Sequence, residues 1–125
     1  MRLLLDTHIF LWAVGGSSSL KPAARRIIEA ADQVYVSAAS IWEIAIKARL
    51  GKIEAIAADL VNAIDTSGFL ELPVRATHAA GVADLALHHT DPFDRLLIAQ
   101  AITEPLKFLT VDPIFAKYSD LVVLV

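Results

Sequence analysis

Residues 2–8 read Arg2-Leu3-Leu4-Leu5-Asp6-Thr7-His8, a short apolar run that ends in an acid. An apolar run of this length, with no polar alternation, is typical of a strand that is buried on both faces of a parallel sheet. The next segment, residues 7–14, predicts a helix that is closed by Gly15-Gly16. This part of the chain therefore predicts a buried strand, an acid at its carboxyl end and a helix.

The same alternation of strand and helix continues along the chain. Apolar, β-branched or aromatic runs predict strands at residues 2–5, 33–36, 69–72, 107–110 and 121–125. Capping and stop signals predict helices at residues 7–14, 22–31, 38–50, 56–66, 75–87 and 91–103, and a short helical turn at 113–117. This order favours an α/β fold, a three-layer sandwich around a mostly parallel five-stranded sheet. Because no repeat or linker interrupts it, we expect one domain over residues 1–125.

Composition excludes several classes of protein. Hydrophobic residues make up 56% of the 125 residues and charged residues 20%, which excludes intrinsic disorder. The absence of cysteine excludes disulfide scaffolds, thiolate zinc sites and a cysteine nucleophile, and it fits the cytoplasm. No apolar stretch reaches the roughly 18 residues of a membrane span, so we expect no membrane segment.

The charge balance bears on nucleic-acid binding. The formal net charge is −3 and the isoelectric point is about 5.7. This argues against a simple electrostatic binder of nucleic acid, which depends on many contacts from Lys and Arg to phosphate. It does not exclude a nucleic-acid enzyme, because carboxylates that hold metal ions count as negative charge.

Five acids are expected to meet at one edge of the sheet. Asp6 ends the first strand, Asp112 follows the fourth, Glu43 lies early in a helix, and Asp91 and Asp94 begin another helix. In parallel α/β sheets, ligands bind at the carboxyl ends of the strands, near the point where the strand order reverses. Two carboxylates about 6 Å apart repel by about 3 kcal/mol at an effective dielectric near 20. The pattern therefore predicts a hard compensating cation, Mg²⁺ or Mn²⁺.

Each acid also has an ordinary structural interpretation, and the residues alone leave it open. Asp91 and Asp112 precede proline, as helix N-caps often do, and Asp6 is placed to cap the helix after its strand. Asp94 lies in a first helical turn, where the helix dipole favours a carboxylate. Glu43 lies in a helix that is apolar nearly all round, where a buried salt bridge, for instance to Arg95, would explain it.

Four stretches carry a resemblance to a known family. They are Leu4-Leu5-Asp6-Thr7-His8, Ser40-Ile41-Trp42-Glu43-Ile44-Ala45-Ile46-Lys47, His89-Thr90-Asp91-Pro92-Phe93-Asp94-Arg95-Leu96-Leu97-Ile98 and Leu109-Thr110-Val111-Asp112. In this order they resemble a PIN domain and, more narrowly, the VapC-like toxin ribonucleases of toxin–antitoxin pairs. The resemblance implies a metal-dependent endoribonuclease that hydrolyses RNA phosphodiesters with a metal-activated water. It implies that Asp6, Glu43, Asp94 and Asp112 are both the catalytic residues and the ligands of Mg²⁺ or Mn²⁺.

The resemblance also implies partners. A cognate antitoxin protein would hold the toxin, bringing a basic side chain towards the acids, and the chain would form a homodimer. The apolar helices at residues 7–14 and 56–64 are the candidate surfaces, unless both simply pack on the sheet.

Two other functions are weighed against a ribonuclease. An aspartate-nucleophile phosphatase that uses Asp6 would generally carry a second Asp two residues later, where this chain has His8. A non-catalytic Mg²⁺-binding interaction module needs no further acid on a helix, so Glu43 counts against it.

Some neighbours of the acids have expected contacts of their own. We expect His89 to hydrogen-bond the loop before Asp91, and Thr7 and Thr110 to bond a neighbouring carboxylate or a metal-bound water. Three cations, Lys47, Arg49 and Lys52, are either an RNA backbone contact or a solvated helix end.

Overall fold

One parallel sheet organises the molecule. The computed structural model describes residues 1–125. The strands are β1 (Arg2–Leu5), β2 (Gln33–Ser37), β3 (Leu70–Leu72), β4 (Lys107–Thr110) and β5 (Val122–Leu124). Their order in the sheet is β3-β2-β1-β4-β5, and every neighbouring pair is parallel. The predicted five-stranded sheet is confirmed, and it is parallel throughout.

Helices cover both faces of this sheet. They are α1 (Thr7–Val14), α2 (Pro22–Ala30), α3 (Ala38–Arg49), α4 (Ala57–Thr66), α5 (Ala76–Gly81) and α6 (Pro92–Thr103), with 3₁₀ turns at Val82–Asp84 and Pro113–Lys117. Successive side chains of a strand point to opposite faces. Leu3 and Leu5 accordingly join one apolar core and Leu4 the other. All three are fully buried, which explains why β1 is apolar without alternation.

The strand order places the predicted site. The chain runs from β1 outward through β2 to β3, then crosses back through α6 to β4 on the other side of β1. The order therefore reverses between β1 and β4. Asp6 directly follows β1 and Asp112 lies two residues after β4, so both acids flank this reversal at the carboxyl edge of the sheet.

The predicted helix at residues 75–87 is wrong beyond residue 84. Helix α5 ends at Gly81, a 3₁₀ turn follows, and residues 85–91 are irregular. The guanidinium of Arg95 donates hydrogen bonds to the backbone carbonyls of Val82, Leu85, Ala86 and His89. These carbonyls are paired with a side chain from α6, which replaces the backbone bonds that a longer helix would make.

The helix at residues 7–14 is not a free apolar surface. In α1, Ile9 and Phe10 are fully buried, and Trp12 packs against the same core. On α4, Ile64 is buried, whereas Val61 is exposed. Leu11 and Trp12 of α1 remain half-buried, so a partner contact through this helix stays a prediction. No helix of the structure is both long and apolar enough to cross a membrane.

Candidate active site

Three aspartates at the carboxyl edge of the sheet cap helical segments. The Oδ1 atom of Asp6 accepts from the backbone N–H of Thr7 at 2.8 Å, and Oδ1 of Asp112 accepts from that of Ile114 at 3.0 Å. Asp91 accepts from the N–H of Asp94 at 3.0 Å, so its expected role as a cap is confirmed. Each cap uses one carboxylate oxygen. In Asp6 and Asp112 the second oxygen bonds a side chain of the site.

A single threonine links Asp6 to Asp112. The hydroxyl of Thr110 donates to Oδ2 of Asp6 at 2.6 Å and accepts from the backbone N–H of Asp112 at 3.1 Å. Burial raises the pKa of Asp6, and the hydrogen bonds from Thr110 and Thr7 oppose that rise. The expectation that Thr110 bonds a neighbouring carboxylate is confirmed.

Glu43 is buried, and both of its oxygens are paired. The hydroxyl of Thr7 donates to Oε1 at 2.8 Å, and Nζ of Lys47 donates to Oε2 at 2.5 Å. The salt bridge weighed from the sequence therefore exists, but its partner is Lys47 and not Arg95. The i,i+4 spacing of Glu43 and Lys47 was the signal that could have identified this pair. The hydrogen bond to Glu43 raises the pKa of Lys47, which keeps the ammonium charged.

His89 bridges two of the acids. Its Nε2 lies 2.9 Å from Oδ2 of Asp94 and 3.2 Å from Oδ2 of Asp112. Its Nδ1 accepts from the backbone N–H of Asp91 at 3.2 Å, which confirms the expected loop contact. Because Nδ1 accepts, the ring hydrogen is on Nε2, facing both carboxylates. The bridge itself was missed, since nothing in the sequence spacing brings His89 to Asp112.

The other three predicted acids lie close enough to Asp94 for their charges to act on its carboxyl. We call Asp6, Glu43, Asp94 and Asp112 the acid cluster. The pKa of Asp94 is raised to about 8, first by burial and then by the negative charges of Asp6, Asp91, Glu43 and Asp112. Such a carboxyl is half protonated near pH 8 unless a cation joins the site.

The chemistry of the donors fits a hard divalent cation. The available donors are carboxylate oxygens, with one imidazole beside them and no sulfur. No three histidine, aspartate or glutamate side chains are arranged here as a ready ligand set. Positive charge comes instead from Lys47 at Glu43, and the N–H of His89 faces Asp94 and Asp112. The acid cluster thus holds more negative charge than its neighbours neutralise.

One family model matches nearly the whole chain. The model described as the PIN domain matches residues 3–121, nearly the full chain. The chain belongs to the PIN domain family. The match spans all four segments that supply the acid cluster, so this PIN domain carries the cluster within the matched region.

One curated relative indicates the group within the PIN family to which this chain is similar. Ribonuclease VapC22 of Mycobacterium tuberculosis is 30% identical over 113 residues, which cover 88% of this chain and 86% of the relative. This PIN domain is therefore VapC-like, as its motifs indicated.

Solved structures share the fold. The VapBC2 structure from Rickettsia felis, bound to a DNA fragment from its promoter, superposes with a TM-score of 0.69 at 15% identity, covering 100% of this chain and 98% of that one. A toxin–antitoxin complex from Klebsiella pneumoniae superposes with a TM-score of 0.67 at 19% identity, covering 97% and 95%. At these identities the likeness concerns the fold alone.

Proposed function

We propose that this PIN domain is a metal-dependent endoribonuclease that acts as the toxin of a toxin–antitoxin pair. One observation carries the proposal. Asp94 and Asp112 share the ring nitrogen of His89 at 2.9 Å and 3.2 Å, and burial together with the neighbouring carboxylates raises the pKa of Asp94, a repulsion that a bound cation would relieve. The relation to a curated VapC ribonuclease supports RNA as the substrate.

The acid cluster is the proposed metal site. Asp6, Glu43, Asp94 and Asp112 would hold Mg²⁺ or Mn²⁺. When bound, such an ion lowers the pKa of a coordinated water and neutralises charge on phosphate oxygens. The chain's own contribution is orientation: Thr110 directs Oδ2 of Asp6, and Thr7 directs Oε1 of Glu43.

Two side chains carry positive charge or a proton at the site. Lys47 neutralises Glu43 and is close enough to Asp91 and Asp94 for their charges to act on it. His89 presents a ring N–H between Asp94 and Asp112. These groups limit the repulsion among the acids while the site holds no metal ion. The role of Lys47 is accordingly at the acids rather than on a solvated helix end.

The phosphatase alternative is disfavoured by the contacts of Asp6. Its two oxygens accept hydrogen bonds from the backbone N–H of Thr7 and from the hydroxyl of Thr110, and no second aspartate stands beside it to act as the acid–base partner. A nucleophilic aspartate needs one oxygen directed at phosphorus, and the position two residues later is an exposed histidine.

We also propose a cytoplasmic antitoxin partner and a homodimer. Support for the antitoxin comes from the VapC-like relative and from neighbours of the same fold that are described as toxin–antitoxin complexes, whereas the homodimer rests on the family resemblance alone. Exposed Trp42 of α3 and Val61 of α4, together with half-buried residues of α1, are candidates for such contacts.

Cleavage of RNA with defined metals tests the activity. Purified chain is incubated with total RNA in Mg²⁺, in Mn²⁺, in Zn²⁺ and in excess chelator, and the ends of the products are mapped. Hydrolysis should require Mg²⁺ or Mn²⁺ and leave 5′-phosphate ends. Undiminished cleavage in chelator, or products with 2′,3′-cyclic phosphate, would contradict the mechanism. Release of phosphate from small esters without RNA cleavage would favour the phosphatase, and no turnover of either would favour a binding module.

A further inference from the structure

Two threonines link three acids of the acid cluster. Thr7 donates its backbone N–H to Asp6 and its hydroxyl to Glu43. Thr110 donates its hydroxyl to Asp6 and accepts the backbone N–H of Asp112. These contacts come from α1 and from the end of β4. They hold the three acids without the irregular loop at residues 85–91.

The fourth acid, Asp94, depends on that loop. The one nitrogen that pairs with its carboxylate is Nε2 of His89, which lies 2.9 Å from Oδ2. The same nitrogen makes a hydrogen bond to Oδ2 of Asp112 at 3.2 Å. His89 therefore connects Asp94 to the part of the cluster that the threonines hold.

His89 is itself fixed from several sides. The hydroxyl of Tyr118 accepts its backbone N–H at 2.6 Å, and the ring of Phe115 lies 5.4 Å from its ring. The guanidinium of Arg95 donates to its carbonyl at 3.2 Å. Its side chain is only 15% exposed, although loop side chains are generally more mobile. Packing and backbone contacts thus set the position of this imidazole independently of the acids.

The ring of His89 is oriented as a donor and not as a metal ligand. Its Nδ1 accepts the backbone N–H of Asp91 at 3.2 Å, so the ring hydrogen is on Nε2. A ring nitrogen that carries a hydrogen has no lone pair for a cation. Moving the hydrogen to Nδ1 would set two donors against each other at Asp91. The acids therefore face an N–H group.

We propose that His89 is a positioning residue of the metal site, an inference that rests on the proposed function. Its N–H holds the Oδ2 atoms of Asp94 and Asp112 beside one another, which sets the separation of these two carboxylates in the metal-free chain. Carboxylates that bind metals are held by such outer hydrogen bonds, and loss of one typically lowers metal affinity 10–100-fold. His89 acts through the two acids and contacts neither metal nor RNA.

Mn²⁺ binding, measured by calorimetry without RNA, tests this role. His89→Ala should weaken binding by about 10–100-fold, while circular dichroism shows a folded chain. His89→Gln should restore most of the affinity, because its amide N–H can reach the same two oxygens. His88→Ala is the matched control, since this neighbouring histidine is exposed and its ring packs on Tyr118 instead of facing an acid. Equal or tighter binding by His89→Ala would overturn the proposal.

The hydroxyl of Tyr118 provides a test that leaves the imidazole in place. Tyr118→Phe removes only the group that accepts the backbone N–H of His89. It should weaken Mn²⁺ binding in the wild-type chain but cause no further loss in His89→Ala, because its effect passes through the histidine. Losses that simply add would show that Tyr118 and His89 act independently, against the proposal.

Cleavage kinetics distinguish positioning from catalysis. His89→Ala should need about 10–100-fold more Mn²⁺ for half-maximal cleavage of RNA, with kcat near the wild-type value once the metal saturates. A kcat that stays low at saturating Mn²⁺ would show that His89 acts on the substrate, and the positioning role would be wrong.

The proposed function can fail separately. If the wild-type chain binds Mn²⁺ and His89→Ala weakens binding, but neither cleaves RNA, the ribonuclease fails and the positioning role stands. If the wild-type chain cleaves RNA with Mn²⁺ and His89→Ala binds the metal equally well, only the positioning role fails. If the wild-type chain binds no Mn²⁺, both fail.

Discussion

Helix α6 has a carboxylate–histidine pair at each end, and the two carboxyls behave oppositely. At its first turn, Asp94 lies 2.9 Å from Nε2 of His89, and its pKa is raised to about 8. At its C-cap, Glu104 lies 2.6 Å from Nε2 of His78, and its pKa is lowered by that hydrogen bond. Similar partners at similar distances therefore do not decide the direction of the shift.

The helix dipole does not decide the direction of the pKa shift either. A carboxylate is favoured at a helix N-terminus and disfavoured at a C-terminus, by typically 0.3–1 kcal/mol. Both carboxyls of α6 shift against that preference. Asp94 is half-buried and lies close enough to four other carboxylates for their negative charges to raise its pKa. Glu104 is more exposed, it pairs with Nε2 of His78, and the cations near it are Arg75 and Arg2.

The two ends therefore serve different purposes. At the Glu104 end, fully buried His78 also accepts from the backbone N–H of Arg75, and Gln100 pairs with Ser37. This network joins α5, α6 and β2, and it leaves no repulsion between like charges. At the Asp94 end the fold keeps repulsion that adds nothing to stability. A region that costs stability without a packing benefit is a candidate for function.

The largest effect is expected from removing charge at the Asp94 end. Asp94→Asn should lower RNA cleavage by at least about 100-fold, because a lost metal ligand removes several kcal/mol of transition-state stabilisation. In chelator, the melting temperature should stay nearly unchanged at neutral pH, where the carboxyl of Asp94 is mostly protonated, and should rise above pH 8, where the substitution removes one repelling charge. Cleavage assays and thermal melts on the same samples check both. A variant that is inactive because it is unfolded would return Asp94 to a structural role.

The pH dependence of stability should have opposite signs for the two ends of α6, Asp94 and Glu104. The folded carboxyl of Asp94 holds its proton up to about pH 8, whereas the unfolded one loses it near 3.8. The folded state therefore binds more protons between these values, so stability should fall as pH rises from about 4 to about 8. We expect a loss of about 2–4 kcal/mol in chelator, below the full linkage value, because neighbouring cations and water adjust to the ionised group.

Urea unfolding at pH 5 and pH 8 measures this loss. In Asp94→Asn the pH dependence should be markedly flatter. Added Mg²⁺ should restore the stability of the wild-type chain at pH 8, because it binds the folded state only. The same loss in the variant as in the wild type would show that other groups cause it.

The smallest effect is expected at the other end of the helix. Glu104→Gln should reduce stability by about 1 kcal/mol near neutral pH, since it weakens a charge-assisted but partly exposed contact to His78. The pKa of Glu104 is lowered from 4.5, so its contribution is present above that value and lost as pH falls through the folded pKa. The wild-type chain and Glu104→Gln should accordingly have the same stability in acid. RNA cleavage should be unchanged, and a large loss of cleavage would contradict the division between the two ends.

Local residue patterns were enough to predict most of the elements and the caps. The strand Arg2–Leu5, the helix Thr7–Val14 and the strand Lys107–Thr110 have the predicted bounds. Ser37 caps α3 through the backbone N–H of Ala39, as its position indicated. These features depend on side-chain period, proline and capping groups, which act within a few residues of chain. The meeting of the acids also followed, because parallel strands end at one edge of the sheet.

Contacts between distant segments were decided only by the tertiary structure. The bridge from His89 to Asp112 spans 23 residues of chain, and the guanidinium of Arg95 binds carbonyls of an irregular loop rather than a carboxylate. The opposite pKa shifts of Asp94 and Glu104 were likewise decided by the tertiary structure. Desolvation and Coulomb energy depend on distances through space, which a local pattern does not contain. The sequence by itself determined which acids reach the edge of the sheet, and packing decided which of them keeps its proton.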